Sequence, residues 1–372
     1  MMRVRNSLLA ALASLVLTVA LLELSLPLLH DRFAHYLRAI IIPANLKIDE
    51  AQRFVGSKTF DPELGWDHDP IARNYVGTKR YIAQSYGDSF VFGAEVGSEE
   101  TWQAQFERLT GEPILNLGVG GYGLDQAVLK FEKHARSYPT RIAILGLYHQ
   151  AFRRALSYHS FYYFANSKRF TFAFKPMFAK RDGRLELIRP PCADAVCLME
   201  VLSNPDHDVW RRLALHDYWY EINQKKPVHE FPYTIAYVHV LPQILQQRRE
   251  RQGVGNYFFV NAGSLELVEY LIERFVKHSR EMDMTPVCLL LYAPVDLRLI
   301  KAGVRPDEKL LEFLKTRNIL HVDTAPHFIK EYRQDDGFTG LSAPKGHLND
   351  RGNRLVAESL AEGLASMELL GR

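Results

Sequence analysis

The chain has 372 residues, of which 47 % are hydrophobic and 12 % aromatic, so it is long enough for one large domain with insertions or for two domains. Its formal net charge of +3 gives no basis for nucleic-acid binding. The three cysteines and the histidines form no pattern typical of a zinc site. We therefore expect no nucleic-acid partner, no metal and no other cofactor.

The first 30 residues predict a membrane anchor. Arg3 and Arg5 precede an apolar run that continues to Leu29, interrupted only by Glu23. The run is long enough to cross a bilayer, and no small-residue cleavage site follows its apolar core. Because positive charge before such a run keeps the N-terminus inside the cell, we expect an uncleaved signal anchor with the rest of the chain exported. A buried helix of a soluble protein is the alternative.

Residues 31–78 predict an irregular juxtamembrane lead-in, and an alternating pattern begins at residue 79. From there, five short apolar runs of strand length alternate with segments of helical periodicity. The predicted strands are 81–86, 113–119, 141–148, 286–292 and 319–323, and the predicted helices are 99–109, 124–135, 264–281, 307–316 and 350–367. This alternation predicts one domain over residues 79–372, with a mostly parallel sheet covered by helices on both faces.

The alternation breaks between about residues 155 and 258, a stretch rich in aromatic residues and punctuated by prolines. We expect an insertion or small subdomain here, since a structureless loop of this length would be unusual. Its aromatic side chains are expected to form its own core, with a glycan-stacking groove as the alternative. Cys192 and Cys197 flank a short loop in this stretch; in an exported chain they are candidates for a disulfide, or else two free thiols.

A serine stands directly after the first predicted strand, within the sequence Gly-Asp-Ser-Phe-Val-Phe-Gly at residues 87–93. In open α/β sheets, ligands bind at the carboxyl ends of the strands. Ser89 at this edge is a candidate nucleophile, provided that a base reaches it. An ordinary turn in which Ser89 caps a helix is the alternative. Asp88 is expected to fix the turn.

Three further segments are predicted to gather at the same edge. Residues 116–123 form a glycine-rich turn whose backbone N–H groups can hold a developing oxyanion. This turn follows the second predicted strand and not the first, where a dinucleotide-binding loop stands, so we expect no dinucleotide site. Gln150 follows the third predicted strand. His347 stands just before a predicted helix cap, Asn349 or Asp350, from where its ring could reach Ser89.

Together these segments resemble the SGNH (GDSL-type) hydrolase family. Residues 87–89 are similar to its first block, residues 116–121 to its second, and His347 with the following Asn349 and Gly352 to its C-terminal block. The resemblance covers about residues 79–154 and 262–368. It implies a flavodoxin-like three-layer α/β/α fold and ester chemistry, with Ser89 as nucleophile, His347 as base and Gly121 in the oxyanion hole.

The chain is most similar to the membrane-anchored bacterial members of that family that occur with cell-surface polysaccharide synthesis. This likeness implies a single-pass protein of the bacterial inner membrane with its catalytic domain on the periplasmic side. It also implies an O-acyl ester of a surface glycan as substrate, with acetyl as the first expectation, and polysaccharide assembly proteins as partners. An O-acyltransferase with the same residues, and a catalytically silent glycan-binding or scaffold subunit, are the alternatives.

The third block departs from the family pattern. Where the family has an asparagine that donates to the oxyanion, the best match is Gln150, which is one methylene longer, with His149 as the neighbouring alternative and a simple capping role for Gln150 as another. Arg153 and Arg154 follow and are expected to be solvated, with binding of anionic sugar groups in the cleft as the alternative.

The C-terminal block departs more seriously. The family places an aspartate two or three residues before the histidine, and this chain has Pro344 and Lys345 there. Such a carboxylate orients the imidazole and stabilises the imidazolium. Asp336 is the candidate replacement. The alternatives are Asp335, Asp323 at the end of the last predicted strand, and a backbone carbonyl. A degenerate site that binds without turnover is the remaining alternative.

Overall fold

A five-stranded parallel sheet forms the centre of the fold. Its strands are β1 Ala83–Tyr86, β2 Ile114–Asn116, β3 Ile142–Leu147, β4 Thr285–Leu290 and β5 His321–Asp323. They lie in the order β2-β1-β3-β4-β5, and all neighbouring pairs are parallel. This is the flavodoxin-like strand order, so the predicted flavodoxin-like architecture is confirmed.

The computed structural model of the chain describes residues 2–32, 42–43, 53, 56–160, 173–204, 206–220, 228–229, 231–250, 259, 262–332 and 337–370. Its described helices are α1 Met2–Arg32, α2 Ser89–Phe92, α3 Trp102–Thr110, α4 Leu124–His134, α5 His149–Arg154, α6 Ala195–Ser203, α7 Asp208–Ala214, α8 Tyr233–Glu250, α9 Ala262–Glu281, α10 Pro294–Lys301, α11 Glu308–Thr316, α12 Ala325–Lys330 and α13 Asp350–Ser366.

Helices cover both faces of the sheet. Successive strand residues point to opposite faces, and β1 shows which helices lie on each. The side chain of Gln84 donates to backbone carbonyls that follow α4, whereas the hydroxyl of Ser85 accepts from Gln103 of α3 at 3.1 Å. On the first face α4 packs against α9 through Phe131 and Phe275, whose ring centroids are 4.8 Å apart; on the second, α3 packs against α13.

The central strands are buried because helices cover them on both sides. All six residues of β3 are buried, as are the last five of β4. Their continuous apolar sequences, rather than alternating ones, are typical of parallel strands in a three-layer fold. The carboxyl ends of β1, β2 and β3 therefore open onto one edge of a rigid sheet, where α2, the glycine-rich turn and α5 begin.

Part of the predicted insertion is described. It contains an antiparallel strand pair, Met177–Arg181 with Arg184–Ile188, and the helices α6 to α8. Cys192 and Cys197 are joined by a disulfide, which settles the alternative between disulfide and free thiols. Phe174 packs against Trp210 with ring centroids 5.2 Å apart, in line with an aromatic core. The limits of the insertion stay a prediction, and residues 161–164 of its aromatic run lie outside the described part of the chain.

Helix α1 contains the stretch Leu9–Leu29, which is long and apolar enough to cross a membrane, with a mean hydropathy of 2.2. None of the 18 most apolar consecutive residues of this stretch is buried in the protein. These properties suit a membrane span and also a signal sequence near an N-terminus.

Candidate active site

The serine segment forms a tight strand-turn-helix at the sheet edge. Ser89 is the first residue of α2, and the side chain of Asp88 caps this helix by accepting from the N–H of Phe90 at 3.0 Å. At Gly87 a Cβ atom would lie 2.4 Å from a methyl group of Val91, so only glycine lets the chain pass this close to the serine helix. Ser89 is thus held at a helix N-terminus and is 7 % exposed.

The structure brings His347 to the same edge. His347 lies in the loop before α13, and its ring centroid is 5.5 Å from that of Phe90, the neighbour of Ser89. The loop is closed by a hydrogen bond from the N–H of Ala343 to the carbonyl of His347 at 2.7 Å, and Gly346 permits the turn with a φ of +94°. The side chain of His347 is 25 % exposed, so it borders the cleft.

A carboxylate holds this histidine, and it belongs to Glu95. Nδ1 of His347 lies 2.6 Å from Oε2 of Glu95. The backbone N–H of Lys345 donates to Oε1 at 2.8 Å, and that of His347 donates to Oε2 at 3.2 Å. A neutral imidazole carries one proton, and here Nδ1–H donates it to the carboxylate. Nε2 is then the nitrogen that remains to accept a proton from a hydroxyl group.

The carboxyl of Glu95 is charged at neutral pH, which suits an acceptor for Nδ1–H of His347. Burial raises the pKa of the Glu95 carboxyl, but the hydrogen bonds from the His347 side chain and from the two backbone N–H groups outweigh it, and the pKa is lowered below its ordinary value. Glu95 is therefore ionised at neutral pH. An ionised acceptor fixes the tautomer of His347 and stabilises the imidazolium that forms during proton transfer.

Glu95 was not among the carboxylates expected from the sequence. Asp335 and Asp336 lie outside the described residues, so the expectation for Asp336 stays a prediction. Asp323 is engaged elsewhere: its carboxylate accepts from Arg305 at 3.0 Å and from the N–H of Ala325 at 3.0 Å. The sequence offered one indication only, an acidic residue in the loop that leaves the serine helix.

The loop that carries Glu95 is braced by Arg73, a residue of the lead-in. Glu95 has a φ of +71°, a left-handed conformation that side chains rarely adopt without support. The guanidinium of Arg73 donates to the carbonyls of Phe92, Gly93 and Val96 at 2.5, 2.6 and 2.7 Å. Because these carbonyls stand on both sides of Glu95, Arg73 fixes the course of the backbone that presents the carboxylate.

Two backbone N–H groups at this edge are candidate oxyanion donors. Gly121 lies in the glycine-rich turn after β2 with a φ of +82°, which favours glycine. The turn packs closely on the serine helix, because a Cβ at Gly118 would lie 2.4 Å from the nitrogen of Phe92. Within the described part of the chain, the N–H groups of Ser89 and Gly121 donate no backbone hydrogen bond. Both are available to an oxyanion.

Gln150, the third candidate donor, is exposed on the first turn of α5. Its Oε1 accepts from Arg154 at 3.2 Å, which leaves its amide nitrogen as the group to meet a ligand. Its neighbour His149 is 2 % exposed and lies 3.2 Å from the fully buried Asp296, so it belongs to the protein interior. Of the two alternatives at the third block, the structure places Gln150 at the surface.

The expectation that Arg154 is solvated was wrong. Arg154 is 8 % exposed, and its guanidinium donates to Oδ2 of Asp88 at 2.9 Å and to the carbonyl of Tyr122 at 3.2 Å. The physical reason is the buried carboxylate of Asp88, which needs a charged partner. Arg153 is half-buried and lies over the ring of Trp219 at 5.3 Å. Arg154 thus ties the serine cap, the glycine-rich turn and Gln150 together.

The described residues contain no group of three or more His, Cys, Asp or Glu side chains that could hold a metal ion.

No family model and no curated protein matches the chain. Among solved structures it is similar to lipolytic proteins of the G-D-S-L family and to acetylxylan esterases. A G-D-S-L lipolytic protein from Desulfitobacterium hafniense DCB-2 is 13 % identical, with a TM-score of 0.37, 76 % of this chain covered and 98 % of that chain. A member of the same family from Veillonella parvula DSM 2008 is 14 % identical, with a TM-score of 0.35 and coverages of 75 % and 96 %. A catalytic mutant of an acetylxylan esterase from Geobacillus stearothermophilus is 10 % identical, with a TM-score of 0.36 and coverages of 76 % and 93 %. Identities and TM-scores this low do not show which activity or substrate this chain has.

Proposed function

We propose that the chain is a serine esterase in which Ser89 is the nucleophile, His347 the general base and Glu95 the carboxylate that orients it. The observation that supports this most strongly is the imidazole of His347, held through Nδ1 by Glu95 at 2.6 Å beside the residue that follows Ser89. Nucleophile, base and orienting acid form the minimal constellation for acyl transfer, and it is recognised by geometry rather than by sequence position.

The proposed reaction has two stages. Nε2 of His347 takes the proton of the Ser89 hydroxyl as its oxygen attacks the ester carbonyl. The N–H groups of Ser89 and Gly121, with the amide of Gln150, hold the oxyanion, and Glu95 stabilises the imidazolium. The imidazolium then returns its proton to the leaving alcohol, and an acyl-serine remains. Water attacks the acyl-serine with His347 again as base, which releases the carboxylic acid and restores Ser89.

The proposed substrate is an O-acyl ester of a cell-surface glycan, with acetyl as the favoured acyl group. The low exposure of Ser89 favours a small acyl group, as does the ring of the next residue, Phe90, which packs on Tyr148 with ring centroids 4.1 Å apart. The glycan itself is proposed from the resemblance of the sequence motifs. A sugar hydroxyl in place of water would give an O-acyltransferase with the same residues.

The proposed location is the periplasmic side of a bacterial inner membrane, with α1 as the anchor and polysaccharide assembly proteins as partners. The disulfide between Cys192 and Cys197 supports export, because disulfides persist in oxidising compartments and are rare in the cytosol. The apolar length of α1 supports attachment to a membrane.

The contact between Glu95 and His347 counts against a catalytically silent subunit. The absence of a carboxylate before the histidine was the feature that favoured such a subunit. A site that had lost its activity would have no reason to keep a carboxylate on Nδ1 from a residue whose backbone has a left-handed conformation.

The test is p-nitrophenyl acetate hydrolysis by the full chain in detergent, beside its Ser89→Ala and His347→Ala variants. Matched controls are Ser98→Ala, an exposed serine, and His327→Ala, whose ring lies 3.3 Å from Glu362 on α13. We expect turnover that both site variants abolish and both controls keep. A parent no faster than Ser89→Ala would refute esterase chemistry on this ester. With an acetylated glycan, free acetate indicates hydrolysis, and acetate on an added acceptor glycan indicates transfer.

A further inference from the structure

A charged residue of α1 caps the start of another helix. Glu23 is the one charged residue between Leu9 and Leu29. Its Oε2 accepts from the N–H of Tyr233 at 2.6 Å, and its Oε1 accepts from the N–H of Thr234 at 2.8 Å and from the hydroxyl of Thr234. These donors belong to the first two residues of α8.

The contact satisfies polar groups of both helices. The first N–H groups of a helix have no acceptor within the helix, and its N-terminus favours a negative charge. An ionisable side chain within an apolar span is costly unless it is paired, and unsatisfied backbone groups are equally costly in hydrocarbon. Glu23 and the start of α8 satisfy each other, which is the arrangement expected of two segments that meet in an apolar phase.

The first half of α8 presents an exposed apolar face. Phe231, just before the helix, and Ile235, Val238 and Leu241 within it are 70, 55, 69 and 60 % exposed. Their spacing of four, three and three residues places them on one side of a helix. Residues 231–241 contain no Asp, Glu, Lys or Arg. His239 is exposed there too, and its Nδ1 lies 2.9 Å from the carbonyl of Ile235 in the same helix.

Helix α8 contacts α1, whose own surface is apolar, and this indicates what covers the exposed face of α8. Leu21, Leu24 and Leu28 of α1 are 58, 72 and 73 % exposed. The 21 residues of Leu9–Leu29 span about 31 Å, which matches a hydrocarbon core of about 30 Å. Glu23 lies six residues, or about 9 Å, inside the end of that span. With α1 as the anchor proposed above, the start of α8 is at a depth where acyl chains surround α1.

We propose that residues 231–241 are a second membrane-embedded element, docked on α1 through Glu23 and covered by lipid acyl chains. The catalytic domain would then be held against the bilayer at two points, through its N-terminal lead-in and through its insertion. The same contact favours retention of α1, because removal of α1 as a signal peptide would leave the first N–H groups of α8 without their acceptor.

The test uses the full chain in phosphatidylcholine vesicles with a single environment-sensitive fluorophore on an introduced cysteine. The native cysteines do not interfere, since Cys192 and Cys197 are bonded and Cys288 is buried. Val238→Cys is the test position, and Leu24→Cys on α1 and Leu109→Cys on α3, 52 % exposed, are the lipid and water references.

We expect lipids with a quencher on the acyl chain to quench the Val238 label to the level of the Leu24 label, and iodide to leave it largely unquenched. Iodide quenching equal to that of the Leu109 label would overturn the proposal. Shielding from both quenchers would also overturn it, because protein rather than lipid would then cover this face.

A second substitution tests the role of Glu23. Glu23→Leu keeps α1 apolar and removes the cap, so we expect the Val238 label to shift toward the iodide quenching of the Leu109 label while the Leu24 label stays unchanged. Glu23→Gln, which keeps one oxygen acceptor, should give a smaller shift. An unchanged Val238 label in Glu23→Leu would refute docking through this residue. Esterase activity is not the readout, so this result is independent of the proposed reaction.

Discussion

The Glu95→Gln substitution removes the charge that holds His347 and leaves the size of the side chain almost unchanged. In the native chain one carboxylate oxygen accepts from Nδ1 of His347 and the other from the N–H of Lys345. A glutamine amide has only one oxygen. If that oxygen accepts from Lys345, the amide NH₂ faces Nδ1, which must then give up its proton. The proton moves to Nε2, and the base is blocked.

The size of the effect follows from the geometry. As Ser89 loses its proton, a positive charge forms on a ring whose Nδ1 is 2.6 Å from Oε2 of Glu95. Two unit charges about 4 Å apart interact by about 4 kcal/mol at an effective dielectric constant of about 20. The side chains of His347 and Glu95 are 25 and 14 % exposed, so screening by solvent reduces this. A loss of about 2–3 kcal/mol corresponds to a kcat about 30- to 150-fold lower.

The assay is kcat for p-nitrophenyl acetate across about pH 5–8, where histidine titrates, with thermal unfolding to confirm that the variant is folded. Glu99→Gln is the matched control, because its side chain is 91 % exposed on a nearby turn. We expect KM to change little, since the contact acts through His347 rather than on the substrate. A kcat for Glu95→Gln equal to that of the control would refute the orienting role of Glu95, and Asp336 would become the leading candidate.

Three further outcomes follow from the same structure. Gly121→Ala forces a side chain into a φ of +82°, so the turn should shift and kcat should fall about 100-fold in a protein that still folds, as active-site titration and circular dichroism would show. Arg154→Met leaves the carboxylate of Asp88, a residue only 2 % exposed, without its charged partner, and urea unfolding should show a loss of about 3–5 kcal/mol. Because the folded-state pKa of Glu95 is lowered, its contribution to stability is fully present above its ordinary value of 4.5 and is lost as the pH falls through the lowered value. The stability difference between the parent and Glu95→Gln should thus shrink as the pH falls below about 4.5.

The fold could be predicted from the sequence because the sheet is buried on both faces and the helices on one. Continuous apolar runs such as residues 142–147 then differ visibly from the periodic helices around them. Strand ends were less accurate. The run predicted at 113–119 forms a strand only over Ile114–Asn116, because the chain then leaves the sheet to pass close over the serine helix at Gly118. The apolar composition of residues 113–119 gives no indication that the chain leaves the sheet there.

The predicted parts of the site follow from local sequence patterns, and the missed parts depend on contacts in the folded chain. Ser89 and Gly121 follow strands, and parallel strands end at one edge, so sequence position alone brings them together. Glu95 and Arg154 make their contacts with segments that are far away in the chain, and no local pattern specifies such contacts. At Pro344 and Lys345 the sequence lacks the carboxylate that the family resemblance implies, but only the folded chain shows that Glu95 contacts His347.

The positions of the three proposed catalytic groups along the chain have a consequence for the biosynthesis of the protein. Ser89 and Glu95 come from one short segment, whereas His347 follows Glu95 by 252 residues and is held only when its loop closes over that segment. A polypeptide emerging with its N-terminus first therefore displays the nucleophile and the acid long before it has a base. Under the proposed chemistry, such a nascent chain is inert toward the esters around it, and reactivity begins only when the segment before α13 has been made and has docked on the sheet.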